Sequence, residues 1–179
     1  APTSIQEAGI PLLRRGNNMV VVGAPGSGAR TGILLALIDR LVTEEAPTDE
    51  DEDEGGTQRP RVLVLTPTAD EAARVARTAS RLGAAAGVRA RSLDRPEAWT
   101  ASAAVACASA GAAVEAMRGS TLKLESLLAV VVDGFEAIRA LGQETAIDTL
   151  FAQLSADTQR VVRASGPSDE LDDFTQRAL

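Results

Sequence analysis

The chain has no histidine, no tyrosine, one cysteine, one tryptophan and three phenylalanines, so aromatics make up only 2% of it. With no imidazole and a lone thiol, Cys107, it cannot assemble the nitrogen and sulfur ligand sets of zinc or iron sites, nor close an internal disulfide. The only metal chemistry left open is an oxygen-bound cation such as Mg²⁺. Lysine is nearly absent as well: of 18 basic residues one is Lys123, which leaves 17 arginines against 25 acids and a net charge of −7. That balance disfavours nonspecific nucleic-acid affinity in dilute buffer, because phosphate binding is driven by cations that release counterions. No apolar run approaches the roughly 18 residues of a bilayer span, and the first residues lack the basic and apolar blocks of a signal peptide. The expectation is a soluble, cytoplasmic protein with no membrane partner.

What is present is enough apolar material for one core. The 179 residues are 45% hydrophobic with a mean hydropathy near zero, which fits a single domain spanning 1–179. Strands are expected at Met19 to Val22, Arg61 to Thr66, Ala103 to Cys107, Leu128 to Asp133 and Arg160 to Arg163, with a weaker sixth at Val88 to Ser92. Between them, Ile33, Leu34, Leu37, Ile38 and Leu41 recur at helical spacing, as do Val75, Ala76, Ala79 and Leu82, and Ile147, Leu150, Phe151 and Leu154. Alternating strands and helices imply right-handed crossovers and a mostly parallel sheet covered on both faces, a three-layer α/β domain. Residues 44–60 break the pattern: six consecutive acids, Asp49 to Glu54, sit between proline and glycine, which reads as a solvated loop insertion.

After the first strand comes GAPGSGARTG, Gly23 to Gly32. A glycine-rich turn entering a helix aims successive backbone N–H groups at an anion, and Pro25, Gly26, Ser27 and Gly28 supply that turn. The spacing from Gly23 to Gly28 fits the start of the phosphate-loop pattern, whose next two positions are a lysine for the outer phosphates and a hydroxyl for Mg²⁺. Here those positions hold Ala29 and Arg30.

The order of segments resembles the first RecA-like domain of DEAD-box RNA helicases over essentially the whole chain. PTSIQ (Pro2 to Gln6) is similar to the motif whose glutamine reads adenine, and Gln6 matches it; PGSGAR (Pro25 to Arg30) stands where the family has TGSGKT. LTPTADEAA (Leu65 to Ala73) resembles motif Ia, keeping Pro67 and Thr68 but with Ala69 for its arginine. VACASAG (Val105 to Gly111) falls at motif Ib. VVVDGFEAIRALG (Val130 to Gly142) matches the Asp-Glu-Ala-Asp segment, with Asp133 and Glu136 as its outer acids and Gly134 where the catalytic glutamate belongs. RASGPSDEL (Arg163 to Leu171) aligns with the Ser-Ala-Thr motif, now Ala164, Ser165 and Gly166. The resemblance implies ATP or ADP with Mg²⁺ as cofactors, Gln6, the 25–30 loop and Asp133 as their binding residues, Asp133 as a metal ligand, and RNA contact at Pro67, Thr68 and Gly111. It also implies a second RecA-like domain as partner, which this sequence does not contain.

The departures share a direction. Phosphoryl transfer depends on charge around the γ-phosphate, a bridging metal and a group that positions water. Ala29 lacks the first cation and Gly134 lacks the base, while Arg30 puts a cation where a magnesium-holding hydroxyl belongs. The expectation is a degenerate helicase domain that has lost hydrolysis and acts by binding, with no catalytic residue of its own. Two alternatives stay open: a nucleotide sensor using the surviving loop, and a divergent but active RNA-dependent ATPase. Arg30 could stand in for the lysine, or the loop could slip so that Arg30 and Thr31 do, although the helix after the loop fits without a gap. Arg74, Arg77 and Arg81 lie on one helical face with Arg89, Arg91 and Arg95 beyond, either a basic stripe for an acidic partner or a solvated face. No aromatics interleave them, and Trp99 reads as a loop anchor. The acid-rich, lysine-poor surface also resembles proteins of salt-accumulating archaea.

Overall fold

The computed structural model describes residues 1–44, 59–94 and 103–179; the acidic run Asp49 to Glu54, Arg95 and Trp99 lie outside the described residues. Its strands are β1 (Met19–Val22), β2 (Val62–Thr66), β3 (Ala90–Ser92), β4 (Val105–Ser109), β5 (Ala129–Asp133) and β6 (Gln159–Ala164). They form one sheet in the order β1-β6-β5-β2-β4-β3, with every neighbouring pair parallel. β2 and β5 are buried along their whole length, as continuous β-branched and leucine runs require when helices cover both sheet faces. The expected strand at Ala103 to Cys107 lies two residues further on. Ala108 and Ser109 pair with Leu65 and Thr66, and alanine and serine carry no apolar signal that would mark the strand's true end.

The helices are α1 (Ser4–Arg14), α2 (Ala29–Thr43), α3 (Ala69–Gly83), α4 (Ala110–Arg118), α5 (Phe135–Ala140), α6 (Glu144–Phe151) and α7 (Asp169–Ala178). Two buried clusters define the layers. On one face Leu13, Ile33, Leu37, Val75 and Ala79 from α1, α2 and α3 pack against Val62, Val64, Val131 and Val161. On the other, Ala113, Ile138, Ile147, Leu150 and Leu171 from α4 to α7 cover Leu63, Leu65, Val130 and Val162. The three phenylalanines meet on that second face, with the Phe174 ring 4.9 Å from Phe135 and 5.8 Å from Phe151. Burying each such ring contributes roughly 1.5–3 kcal/mol, which makes α7 part of the core rather than a tail.

The first helix had little signal in the sequence. α1 contains Pro11, which removes a backbone donor. The helix persists because Thr3 and Gln6 form a capping box at its start and because it packs along α2. A buried polar tie anchors its end: Gln159 Nε2 donates to Leu13 O (3.1 Å) and Asn17 O (2.6 Å), while its Oε1 accepts from Arg40 Nη1 (2.6 Å).

Candidate nucleotide site

Because all six strands run the same way, the turns after β1, β2, β4, β5 and β6 gather at one sheet edge, where α/β proteins place their ligands. The loop after β1 and the first turn of α2 border a cleft of about 500 Å³, with Arg163 on its wall. Gly28 is the N-cap of α2, at φ +82° and with no side-chain cap, so the first N–H groups of the helix are left without intrahelical acceptors. They and the helix dipole make a ready anion cradle. A side chain at Gly28 is strained: the backbone conformation is one that L side chains rarely adopt, and a Cβ there would lie 2.6 Å from Gln6 Nε2 and displace that amide.

Gln6 is brought to this loop, though its amide is partly engaged by the chain itself. Its Nε2 donates to Gly28 O (3.1 Å), its Oε1 accepts from Thr3 N (3.0 Å), and Thr3 Oγ1 donates to Ser27 O (2.9 Å). One amide N–H and one lone pair remain for a ligand. Ala29 begins α2 and is buried against the core, so the cradle has no cation at the lysine position. The α2 helix starts directly after Gly28, which matches the ungapped fit and not the slipped one.

Arg30 lines the cleft, but its guanidinium is taken up by two acids. Its Nε lies 2.6 Å from Asp133 Oδ2 and its Nη2 3.2 Å from Glu71 Oε2, while Glu71 Oε1 takes a second cation, Arg74 Nη2, at 2.5 Å. The register of β5 and β6 sets Arg163 directly beside Asp133, and the Arg163 Nε donates to Asp133 Oδ1. Asp133 is 2% exposed, so two guanidiniums neutralise one buried carboxylate. Arg30 Nε and Asp133 Oδ2 touch without the alignment of a hydrogen bond. A magnesium ion needs carboxylate oxygens free of competing cations. Mg²⁺ beside a nucleotide takes one or two protein carboxylates with phosphate and water oxygens, and among the described residues the one buried acid at this edge is already paired twice. This donor set does not fit Mg²⁺.

The next strand-end acid behaves differently. Glu136 Oε1 accepts from Ser165 N (2.7 Å), Ser165 Oγ (3.1 Å) and Gly166 N (3.2 Å), which joins the turn after β5 to the turn after β6. Burial opposes its ionisation, but the backbone N–H donors outweigh it and hold the carboxyl below its ordinary value. Between the two acids, Gly134 sits at φ +101° as the N-cap of α5 and presents no side chain.

The residues expected at an RNA surface are also together, with much of their capacity spent internally. Thr68 Oγ1 caps α3 by accepting from Glu71 N (3.3 Å), Pro67 O accepts from Gln143 Nε2 (3.3 Å), and Gly111 N donates to Gln143 Oε1 (3.2 Å). Gln143, which staples the two segments, carried no signal in the sequence: a polar residue after Gly142 reads as an ordinary loop position. Arg77, Arg81 and Arg91 line a groove of about 660 Å³ between α3 and β3 that shares no lining residue with the cleft, whereas Arg74 is taken up by Glu71.

An all-parallel sheet with a glycine-rich loop after β1 and an acid ending β5, with β6 between them, has the layout of a P-loop type α/β domain. The family model described as DEAD/DEAH box helicase matches residues 3–174, and the chain belongs to that family. Among relatives, it is 30% identical to the human "Probable ATP-dependent RNA helicase DDX28", covering 99% of this chain and 32% of that protein. It is 24% identical to the "ATP-dependent RNA helicase RhlB" of Shewanella piezotolerans, covering 85% of this chain and 35% of that one. The chain thus spans about a third of these relatives' length. Among solved structures, the RNA helicase Prp28 from Chaetomium thermophilum bound to ADP superposes with a TM-score of 0.81 at 20% identity, over 100% of this chain and 43% of that one. A DEAD box protein from Methanococcus jannaschii superposes with a TM-score of 0.80 at 18% identity, over 99% of this chain and 47% of that one. The fold is therefore the RecA-like domain of DEAD-box helicases, and among the described residues no helix is long and apolar enough to cross a membrane.

Proposed function

We propose that this domain has lost ATP hydrolysis and serves as a binding module, docking a protein partner or a second RecA-like domain at its strand-end edge, with RNA as a further ligand of that edge. The observation that carries this reading is the turn after β5: where a DEAD-box domain needs its glutamate there is Gly134 at φ +101°. Any side chain placed there is strained, so the base is absent and not easily regained. A positioned general base contributes typically 10² to 10⁴ in rate, and Ala29 removes a charged phosphate contact in addition. The intact N–H cradle at Gly28 favours a second reading, in which the loop still takes the phosphates of ADP or ATP.

Phosphate release measured with ATP, Mg²⁺ and single-stranded RNA, alongside melts with each nucleotide, tests both. The expected result is release at the no-enzyme background with or without RNA. Release that rises with RNA and disappears in Asp133→Asn overturns the proposal. A nucleotide that binds at one hundred times its Kd raises stability by about 2.7 kcal/mol, and that rise without hydrolysis would identify the sensor reading.

A further inference from the structure

The ion pairs around Asp133 form a continuous chain: Arg163 on β6, Asp133 on β5, Arg30 on α2, Glu71 on α3 and Arg74 beside it. Arg30 is the central link, because one guanidinium reaches carboxylates on two separate elements, Asp133 at 2.6 Å and Glu71 at 3.2 Å. Bridging two carboxylates from different segments is what a divalent cation does in an oxygen-ligand site. Here the bridging cation is written into the sequence, and its planar, always-charged head suits that task better than an ammonium would.

We infer that Arg30 and Arg163 replace the divalent cation at this edge, a built-in counter-ion that ties α2, α3, β5 and β6 together and closes the Asp133 position to metal. The inference rests on the non-hydrolytic reading of the site and deepens it, since it explains how the buried carboxylate is paired without metal. For Mg²⁺ or Mn²⁺ to reach Asp133 Oδ2 it would have to displace Arg30 from both carboxylates. Removing Arg30 alone leaves Asp133 paired with Arg163 and leaves Glu71 paired with Arg74, so the fold retains one cation for each acid while a gap opens between them. That gap is flanked by the two carboxylate oxygens that Arg30 had held, Asp133 Oδ2 and Glu71 Oε2.

The experiment is Mn²⁺ titration followed by paramagnetic broadening of assigned amide signals, on the full chain and on Arg30→Thr. A second variant, Arg30→Gln, keeps hydrogen-bonding length without charge in case the threonine variant does not fold. In the unmodified chain the Gly134 and Ala164 amides should stay sharp while surface acids broaden, and EDTA or Mg²⁺ should not move the melting temperature. In either variant the Gly134 amide should broaden at Mn²⁺ concentrations at least ~10-fold lower, and Mg²⁺ should raise the melting temperature. Sharp Gly134 signals in both variants, or broadening of Gly134 in the unmodified chain at the same concentration as in the variants, would overturn the inference. Neither result depends on turnover: loss of hydrolysis through Gly134 leaves the Mn²⁺ readout unchanged, and hydrolysis in the phosphate-release assay would refute the functional reading by itself.

Discussion

Where β5 passes into α5 the chain carries two acids three residues apart with opposite kinds of partner. At Asp133 the carboxylate is the one the DEAD-box pattern has, and it faces two arginines. At Glu136 the acid and its partners have both changed identity relative to the family pattern, Glu for Asp and Ala164, Ser165, Gly166 for Ser-Ala-Thr, yet the carboxylate still bridges two turns. The contrast follows from what each contact uses. Glu136 binds mainly backbone N–H groups, which any sequence supplies once the turn has the right shape, and a longer side chain needs only a small adjustment. Asp133 depends on side-chain charge, which Arg30 and Arg163 supply. A contact to backbone N–H groups tolerates a change of side chain that a contact between charged side chains does not.

The largest effect is expected on the charged side of that comparison. Asp133→Ala strands two guanidiniums, with Arg163 only 15% exposed, and should cost about 3 kcal/mol, the lower end for breaking a buried pair because Arg30 is 37% exposed. For a domain of this size that is a fall of roughly 10 °C in melting temperature, readable by calorimetry. A loss below about 1 kcal/mol would mean that the arginines find other acids, and the ion chain would then be incidental.

On the backbone-bound side, Glu136→Ala removes three hydrogen bonds to an ionised acceptor at a half-buried site and should cost about 1 to 2 kcal/mol. The pH dependence has a definite sign. Glu136 is held below its ordinary value of 4.5 in the fold, so its contribution is complete above that value and fades as the pH falls through the lower folded-state pKa. Urea titrations between pH 6 and pH 3 should therefore converge for the unmodified chain and Glu136→Gln at the acid end and separate towards neutral pH. Parallel curves would show that Glu136 is not ionised in its bridge.

Much of this was legible in the residues. The apolar runs marked the strands because a doubly covered parallel sheet buries every position, and Arg30 was conspicuous as a cation in a hydroxyl's place. The destination of Arg30 could not be read, because reaching Glu71 requires α3 to pack beside α2, a tertiary fact. α7 was not assigned because DELDD and TQRA are mostly polar; only Leu171, Phe174 and Ala178 at helical spacing are buried, too few to stand out in a window that begins with SGPS. Gln143 was invisible for a different reason: the chemistry of its amide is ordinary, and its importance comes from Gly142 turning the chain so that both ends of the amide meet backbone.

Gln143 gives the comparison its finest test, because it joins two segments as Glu136 does, through backbone groups, but without charge. It links Pro67 O to Gly111 N, so it sets the spacing of the turns after β2 and β4. Gln143→Leu removes both hydrogen bonds while keeping volume, and for neutral partners at a half-buried site the loss should be only about 1 kcal/mol. Stability alone would hardly register the change, so the informative measurement is amide exchange. Gly111 N–H should lose protection in Gln143→Leu while the α4 amides beyond the first turn keep theirs. Glu136→Ala should leave Gly111 unaltered, since its partners lie on the far side of Gly134. If instead Gly111 and Gly166 lose protection together in either variant, the strand-end turns form one cooperative unit, and a partner binding at one of them would be felt at all.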